Sequence, residues 1–259
     1  MAQVVTLTTD FGRESVYVAQ MKAVLLEINP RLTIVDVTHE VPPQDIRAGA
    51  WILRQIVPRF LPGSFHLAVV DPGVGTDRPC LCANLDGRYL IAPDNGLITC
   101  VAEVLPIRAM VRLENPVYRL PEVSATFHGR DIMAPAVAWL SLGVTLDELG
   151  PPHHTWVTLP KGLSPTIAER QIHGRIVFVD RFGNLITNIE QTQLPASASV
   201  TITIGGMTIH GMIKTYGERQ SGEVVALVNS LGYLEIAVVN GSASQMTGLN
   251  VGTPVFITW

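Results

Sequence analysis

The sequence is poor in charge, in cysteine and in long apolar runs, and each shortage removes a class of function. Only 15% of its 259 residues are Asp, Glu, Lys or Arg, and 18 basic side chains against 22 acidic ones leave a formal charge of −4. Without a basic cluster or stripe, no nucleic acid partner is expected. No uninterrupted apolar stretch reaches the roughly 20 residues that a spanning helix needs, so no membrane association is expected. The opening MAQVVTLTTDFG has neither the charged head nor the apolar core of a secretory signal. The three cysteines, Cys80, Cys82 and Cys100, are odd in number and lack CxxC spacing. That argues against a disulfide framework and against a zinc site. Cys80 and Cys82 alternate with Leu81 on one side of a strand-like run and read as small buried hydrophobes. A cytoplasmic setting fits.

What is present is a large apolar share, 47% of residues, enough for real cores. Val4–Thr8 reads as a strand, and Ser15 then precedes a helical face of Val16, Val18, Met21, Val24, Leu25 and Ile28. A second strand over 32–37, a helix over 45–57 and a strand over 65–70 follow. This alternation predicts an α/β layered domain with a largely parallel sheet. Short strands over 80–85 and 89–92 meet at Asp86-Gly87 in a hairpin, and helices are expected over 96–104 and 131–142. Near Pro151-Pro152, with Pro160, Gly162 and Pro165 behind, helical periodicity stops. The many short strands beyond predict a smaller β-barrel, with the division set at 1–160 and 161–259. In α/β sheets ligands gather at the carboxyl ends of strands, where Asp10 and Asp71 stand.

Four clusters carry chemistry: Asp10-Phe11-Gly12, the loop Asp71–Arg78, Thr126–Asp131, and Asp180–Asn184. Each has a plain reading. Asp10 suits a turn that bonds local amides, Asp71 and Arg78 suit an ion pair that pins a loop, and His128 suits a packed residue before a helix capped by Asp131. Asp180, Gly183 and Asn184 are turn formers, Tyr216 can fill a β core, and Asn229–Tyr233 fits an ordinary hairpin. DFG at 10–12 lacks the glycine-rich and catalytic-loop companions of a kinase. On the residues alone, the chain is a ligand-binding enzyme of unassigned reaction.

The order of the motifs narrows this. TLTTDFG, YVAQMKAV, IVDVTHEVPPQDIRAGAWIL, VVDPGVGTDR, IAPDNGLIT, TFHGRDIMAPA, GRIVFVDRFGNLITNI and NSLGYLEIAVVNGSA run nearly end to end. Together they resemble the S-adenosylmethionine hydroxide adenosyltransferase family, relatives of the fluorinase and chlorinase enzymes. The resemblance implies an α/β domain joined to a β-barrel, and a homotrimer whose substrate lies between the amino domain of one subunit and the carboxyl domain of its neighbour. It implies hydrolysis of S-adenosylmethionine to adenosine and methionine with no cofactor and no metal. Asp71, Arg78 and His128 match the water-activating triad. Asp10 matches the ribose-binding aspartate, Tyr216 an aromatic that packs on adenine, and Phe182 and Asn184 adenine-site residues. Asp180 and Ser230 match residues holding the methionine portion, and Asn95 is taken as a further substrate-binding residue.

Departures from the halogenating relatives bear on the reaction. Those enzymes carry Tyr where Asp71 stands and an extra segment before the IAPDNG-like strand, whereas here Asp86-Gly87 turns directly. Both differences favour water over halide, since a carboxylate repels an incoming anion. Ser15 and Leu231 replace an acid and an arginine of fluorinase-like members, which leaves the methionine carboxylate without its usual contacts. The rival readings are a halide-using enzyme on the same fold, a non-catalytic adenosine or S-adenosylmethionine binder, and a metal-dependent hydrolase built on Asp71 and His128.

Overall fold

The computed structural model describes residues 3–160, 164–195 and 199–259; residues 161–163, including Gly162 of the expected linker, lie outside the described residues, as do 1–2 and 196–198. The chain divides into two compact units, residues 1–159 and 160–259.

In the first unit, strands β1 (Gln3–Thr9), β2 (Leu32–Thr38), β3 (Phe65–Val69), β4 (Cys80–Leu85), β5 (Arg88–Pro93) and β6 (Ile107–Arg112) form one sheet in the order β2-β1-β3-β5-β4-β6. The β2-β1, β1-β3 and β3-β5 pairings are parallel, and β4 alone runs against its neighbours. Helices α1 (Val16–Ile28), α2 (Ile46–Ile56), α3 (Thr99–Ala102), α4 (Ala134–Ser141) and α5 (Leu146–Leu149) complete it. Strand alternation sorts the core into two layers. Phe65, Leu67, Val69, Cys80 and Cys82 face α1 and α4, while Ala68, Val70, Leu81, Ala83 and Leu85 face α2 and α3. Because α1 leads outward from β1 to β2 and α2 returns past β1 to β3, the chain reverses direction between β1 and β3. The crevice at such a reversal is where open α/β sheets bind ligands.

Local chemistry sets the element ends. Ser15 caps α1 by accepting from the Tyr17 amide at 3.2 Å, and Asp86 and Gly87, with φ of 51° and 85°, make the β4–β5 hairpin turn. Two helical expectations shift. The helix foreseen over 96–104 shortens to α3, because Asn95 accepts from the Leu97 amide at 3.4 Å and orders a turn there. Asp131 is no cap: a π-helical turn already begins at Gly129, and the Asp131 carboxylate is fully buried, accepting from the Ser124 amide at 2.8 Å and Arg130 Nε at 2.5 Å.

The second unit is built from β7 (Thr166–Ala168), β8 (Gln171–Val179), β9 (Leu185–Glu190), β10 (Thr201–Ile204), β11 (Met207–His210), β12 (Val224–Val228), β13 (Tyr233–Val238) and β14 (Pro254–Thr258), with a short helix α6 (Ala243–Thr247). Antiparallel pairing gives the order β11-β10-β14-β8-β9-β13-β12, with β7 on β8. A bridge from Ile213 to Leu227 draws the segment after β11 back to β12, so the sheet nearly closes into a barrel around Ile172, Ile176, Leu185, Ile202, Leu234 and Ile257. The strand foreseen over 208–213 stops at His210.

Candidate active site

A cleft of about 340 Å³ opens at the carboxyl ends of β1 and β3, lined on one side by Asp10 and Gln44 and on the other by Asp71 and His128. Asp10 follows β1 directly. Its Oδ2 accepts from the Gln44 amide at 2.8 Å, which holds the carboxylate at the rim and keeps Oδ1 for other donors. Gln44 adopts a left-handed φ of 64°, unusual for a side chain of its kind, at this rim. Phe11, Tyr17 and Phe127 meet edge to face with centroids 5.2 to 5.7 Å apart and form an aromatic wall of the cleft.

Behind Asp71 and His128 lies Arg78, whose side chain is 9% exposed. Its guanidinium donates from Nε to Asp71 Oδ1 at 2.6 Å and from Nη2 to Asp71 Oδ2, a bidentate pair. Nη2 also donates to His128 Nδ1 at 3.1 Å, and Nη1 to the Cys80 Sγ at 3.2 Å. Burial works against the Arg78 charge, but the hydrogen bonds and field of Asp71 and Cys80 outweigh it and raise its pKa. A guanidinium can only donate, so His128 Nδ1 must be an acceptor, and the proton of the neutral ring sits on Nε2. Partial burial, followed by the charge of Arg78, pushes the His128 pKa below its ordinary value and keeps the ring neutral.

The two halves of this cluster are locked by close packing. Gly75, with φ +79°, lies so near Ala125 that a Cβ would stand 2.3 Å from the Ala125 carbonyl oxygen. Gly129 packs on Val69, where a Cβ would meet a methyl at 3.2 Å. Thus the Asp71 loop is seated on the segment before His128, and His128 on the strand that delivers Asp71. Asn95 does not line the cleft; its Nδ2 donates to the Val70 carbonyl at 2.8 Å and so fixes the end of β3 immediately before Asp71.

The remaining candidates belong to the second unit. Asp180 Oδ1 accepts from the amides of Phe182 and Asn184, both at 2.9 Å, and Oδ2 accepts from Asn184 Nδ2 at 3.0 Å. The turn reading of this cluster therefore accounts for its hydrogen bonds, and the same turn presents Phe182 to solvent, 77% exposed. Tyr216 is 41% exposed, with its hydroxyl donating to buried Glu235. Ser230 is exposed on the turn after β12. Among the described residues no group of three or more His, Cys, Asp or Glu is arranged to hold a metal ion, and no helix is long and apolar enough to cross a membrane.

The family description "SAM hydroxide adenosyltransferase N-terminal domain" matches residues 5–150, and the corresponding C-terminal description matches 174–256. The chain belongs to the SAM hydroxide adenosyltransferase family. It is 42% identical to the (R)-S-adenosyl-L-methionine hydrolase of Thermus thermophilus, across 95% of this chain and 96% of that one. It is 38% identical to the enzyme of the same name from Salinispora tropica, across 98% and 97%. A fluorinase of an Actinoplanes species is 28% identical across 98% and 97%. A crystal structure of an uncharacterized conserved protein from Thermotoga maritima superposes with a TM-score of 0.93 at 34% identity, covering 99% of this chain and 100% of that one.

In this family member, three further residues join the candidates, Cys80 and Glu235 through their side chains and Gln44 through its main chain. Cys80 was a core hydrophobe by pattern, yet its sulfur accepts from Arg78; the signal was its place two residues after that arginine. Gln44 holds Asp10 through its main chain, which no side-chain motif announces. Glu235 carried the clearest signal, an acid in the apolar run Tyr233–Val239, where an ionisable residue needs a partner.

Proposed function

We propose that the protein hydrolyses S-adenosylmethionine to adenosine and methionine, and that its substrate carries the (R) configuration at sulfur. The observation that carries this reading is the cluster of Asp71, Arg78 and His128 opposite Asp10 across one cleft. Support for the reaction and its stereochemistry comes from relatives 35–42% identical over at least 95% of this chain, named (R)-S-adenosyl-L-methionine hydrolases.

Asp10 receives the ribose hydroxyls. A water sits between His128 and Asp71, accepting from His128 Nε2–H and donating to a free lone pair of Asp71. Each Asp71 oxygen has a second lone pair beyond the one that Arg78 occupies. The water oxygen attacks C5′ opposite sulfur, so the C5′–O bond forms as the C5′–S bond breaks. That electron pair returns to sulfur, and methionine departs as a neutral thioether. The departing group asks for no acid, metal or cofactor. The attacking oxygen becomes strongly acidic as the bond forms, so the carboxylate of Asp71 is base enough to take its proton. Orientation of this kind is worth up to about 7–11 kcal/mol, and a positioned base roughly 10²–10⁴-fold.

Halide use is disfavoured by Asp71, whose charge would face the incoming anion. Tyr216, Phe182 and Asn184 are proposed to hold adenine, with Asp180 and Ser230 toward methionine. The Asp180 carboxylate also orders the turn that presents Phe182. Apolar side chains left open on α1 and β2, Val16, Leu26 and Val35, support assembly into a homotrimer with shared sites. Three unpaired cysteines support a cytoplasmic setting. The test is product analysis on separated sulfur epimers. Adenosine and methionine arising faster from the (R) form are expected. Equal rates would remove the stereochemical part, and no product from either would remove the reaction.

A further inference from the structure

Glu235 lies on β13 between Leu234 and Ile236 and is only 3% exposed. A carboxylate so placed costs several kcal/mol to desolvate unless hydrogen bonds compensate. One oxygen accepts from the Tyr216 hydroxyl at 2.5 Å and the other from Asn229 Nδ2 at 3.3 Å. Asn229 cannot turn its amide over, because its Oδ1 already accepts from the Leu231 amide at 3.0 Å and the Tyr233 amide at 3.1 Å. Its nitrogen must therefore face Glu235, and the turn carrying Ser230 is tied to that carboxylate. Tyr216 is held at its other end too: Glu218 accepts from the amides of Lys214 at 3.0 Å and Thr215 at 3.1 Å, fixing the short helical turn from which the ring projects. Burial, with the hydrogen bond to Glu235 second, raises the Tyr216 pKa and keeps the hydroxyl a donor.

We propose that Glu235 is a positioning residue for substrate binding, a buried strut that holds the Tyr216 ring and the Ser230 turn in one fixed relation. This rests on the reading of Tyr216 as the adenine-packing ring. A ring free to swing about its side-chain bonds must be immobilised on binding, and Glu235 removes that loss in advance. The residue touches no substrate, so its contribution appears in affinity and not in the chemical step.

The experiment compares Glu235→Met, Glu235→Gln, Tyr216→Phe and the double variant Glu235→Met/Tyr216→Phe, reading kcat and KM for S-adenosylmethionine, calorimetric titration with adenosine, and thermal melting. Glu235→Met removes both bonds and should raise KM and the adenosine Kd roughly tenfold with kcat within twofold, the size expected from the charged bond to Tyr216 with the longer one to Asn229 adding little. Glu235→Gln should restore most of the affinity, since its amide can donate to Tyr216 and accept from Asn229. Tyr216→Phe should reproduce the loss, and the double variant should add little to either single one. If Glu235→Met does not fold, Tyr216→Phe carries the test, and wild-type affinity there overturns the inference. A lowered melting temperature with unchanged affinity, or fully additive losses, also overturns it. Should the unaltered protein neither turn over S-adenosylmethionine nor bind adenosine, the functional reading falls and takes this one with it. If it does both and the variants bind as tightly, this one alone falls.

Discussion

Replacing Arg78 by lysine keeps the positive charge and removes the fork. In the native protein one guanidinium serves four acceptors: two oxygens of Asp71, the His128 Nδ1 and the Cys80 sulfur. An ammonium on a flexible stem cannot match the two carboxylate oxygens and reach His128 as well. At least two bonds are lost, and charged hydrogen bonds contribute about 1.5–3 kcal/mol each. Stability should therefore fall by roughly 3 kcal/mol, near the lower end of what breaking a buried ion pair costs. The effect on rate should be larger than a field argument allows. Without a fixed donor at Nδ1, His128 loses its assigned tautomer and Asp71 its orientation, so kcat should drop by about 10²-fold. The assay is steady-state kinetics with S-adenosylmethionine at a temperature where circular dichroism shows the variant fully folded. Turnover above half the native value would refute the reasoning, because charge alone would then suffice.

Asp71→Asn should lower kcat by roughly 10²–10³-fold while calorimetry finds adenosine affinity within about threefold; a parallel loss of affinity would place Asp71 in binding instead. Activity requires neutral His128, whose pKa burial and Arg78 depress, so the rate should still hold at pH 6.5 and its acid limb should lie below that value; an acid limb at or above pH 6.5 would contradict the proposed state of the ring. Gly75→Ala should cost at least tenfold in kcat through its collision with the Ala125 carbonyl, with the Asp71 loop displaced in a crystal structure; native turnover would show that the loop yields freely. His66, buried between Thr6 and Ser64, has its pKa lowered to about 3, chiefly by burial and then by the charge of Arg88. The unfolded chain binds that proton first, so stability is full above pH 6.5 and declines from there toward pH 3. The limit is about 1.4 kcal/mol per pH unit. Urea unfolding at pH 7 and pH 5 should show this loss in the native protein and not in His66→Asn.

Much of this was legible because it lay in local pattern. Asp10 and Asp71 at the ends of two strands follow from alternating periodicities and need no long-range contact to be read, whereas the strand order that sets β1 beside β3 belongs to the folded chain. Ser15 as a cap and Asp86-Gly87 as a turn are likewise local chemistry. What escaped was set by packing. Asp131 has the look of a cap, but the tight seat of Gly129 on Val69 starts the helical turn earlier and buries the carboxylate. Asn95 stands among the expected substrate contacts, and that its side-chain amide also donates to the Val70 carbonyl is visible only in the folded chain. Cys80 illustrates the same limit: alternation correctly placed it in the core, but which polar atom approaches its sulfur depends on how the Asp71 loop folds back.

The central claim is that water attacks the ribose carbon bearing sulfur. It is tested most directly by incubating the purified protein with S-adenosylmethionine in ¹⁸O-labelled water and analysing the products by mass spectrometry. Methionine without label and adenosine with one ¹⁸O at its 5′ position are expected, and the amount of that labelled adenosine should fall roughly 10²–10³-fold when Asp71→Asn replaces the native protein over the same time. Unchanged substrate, or adenosine formed without label, would contradict it.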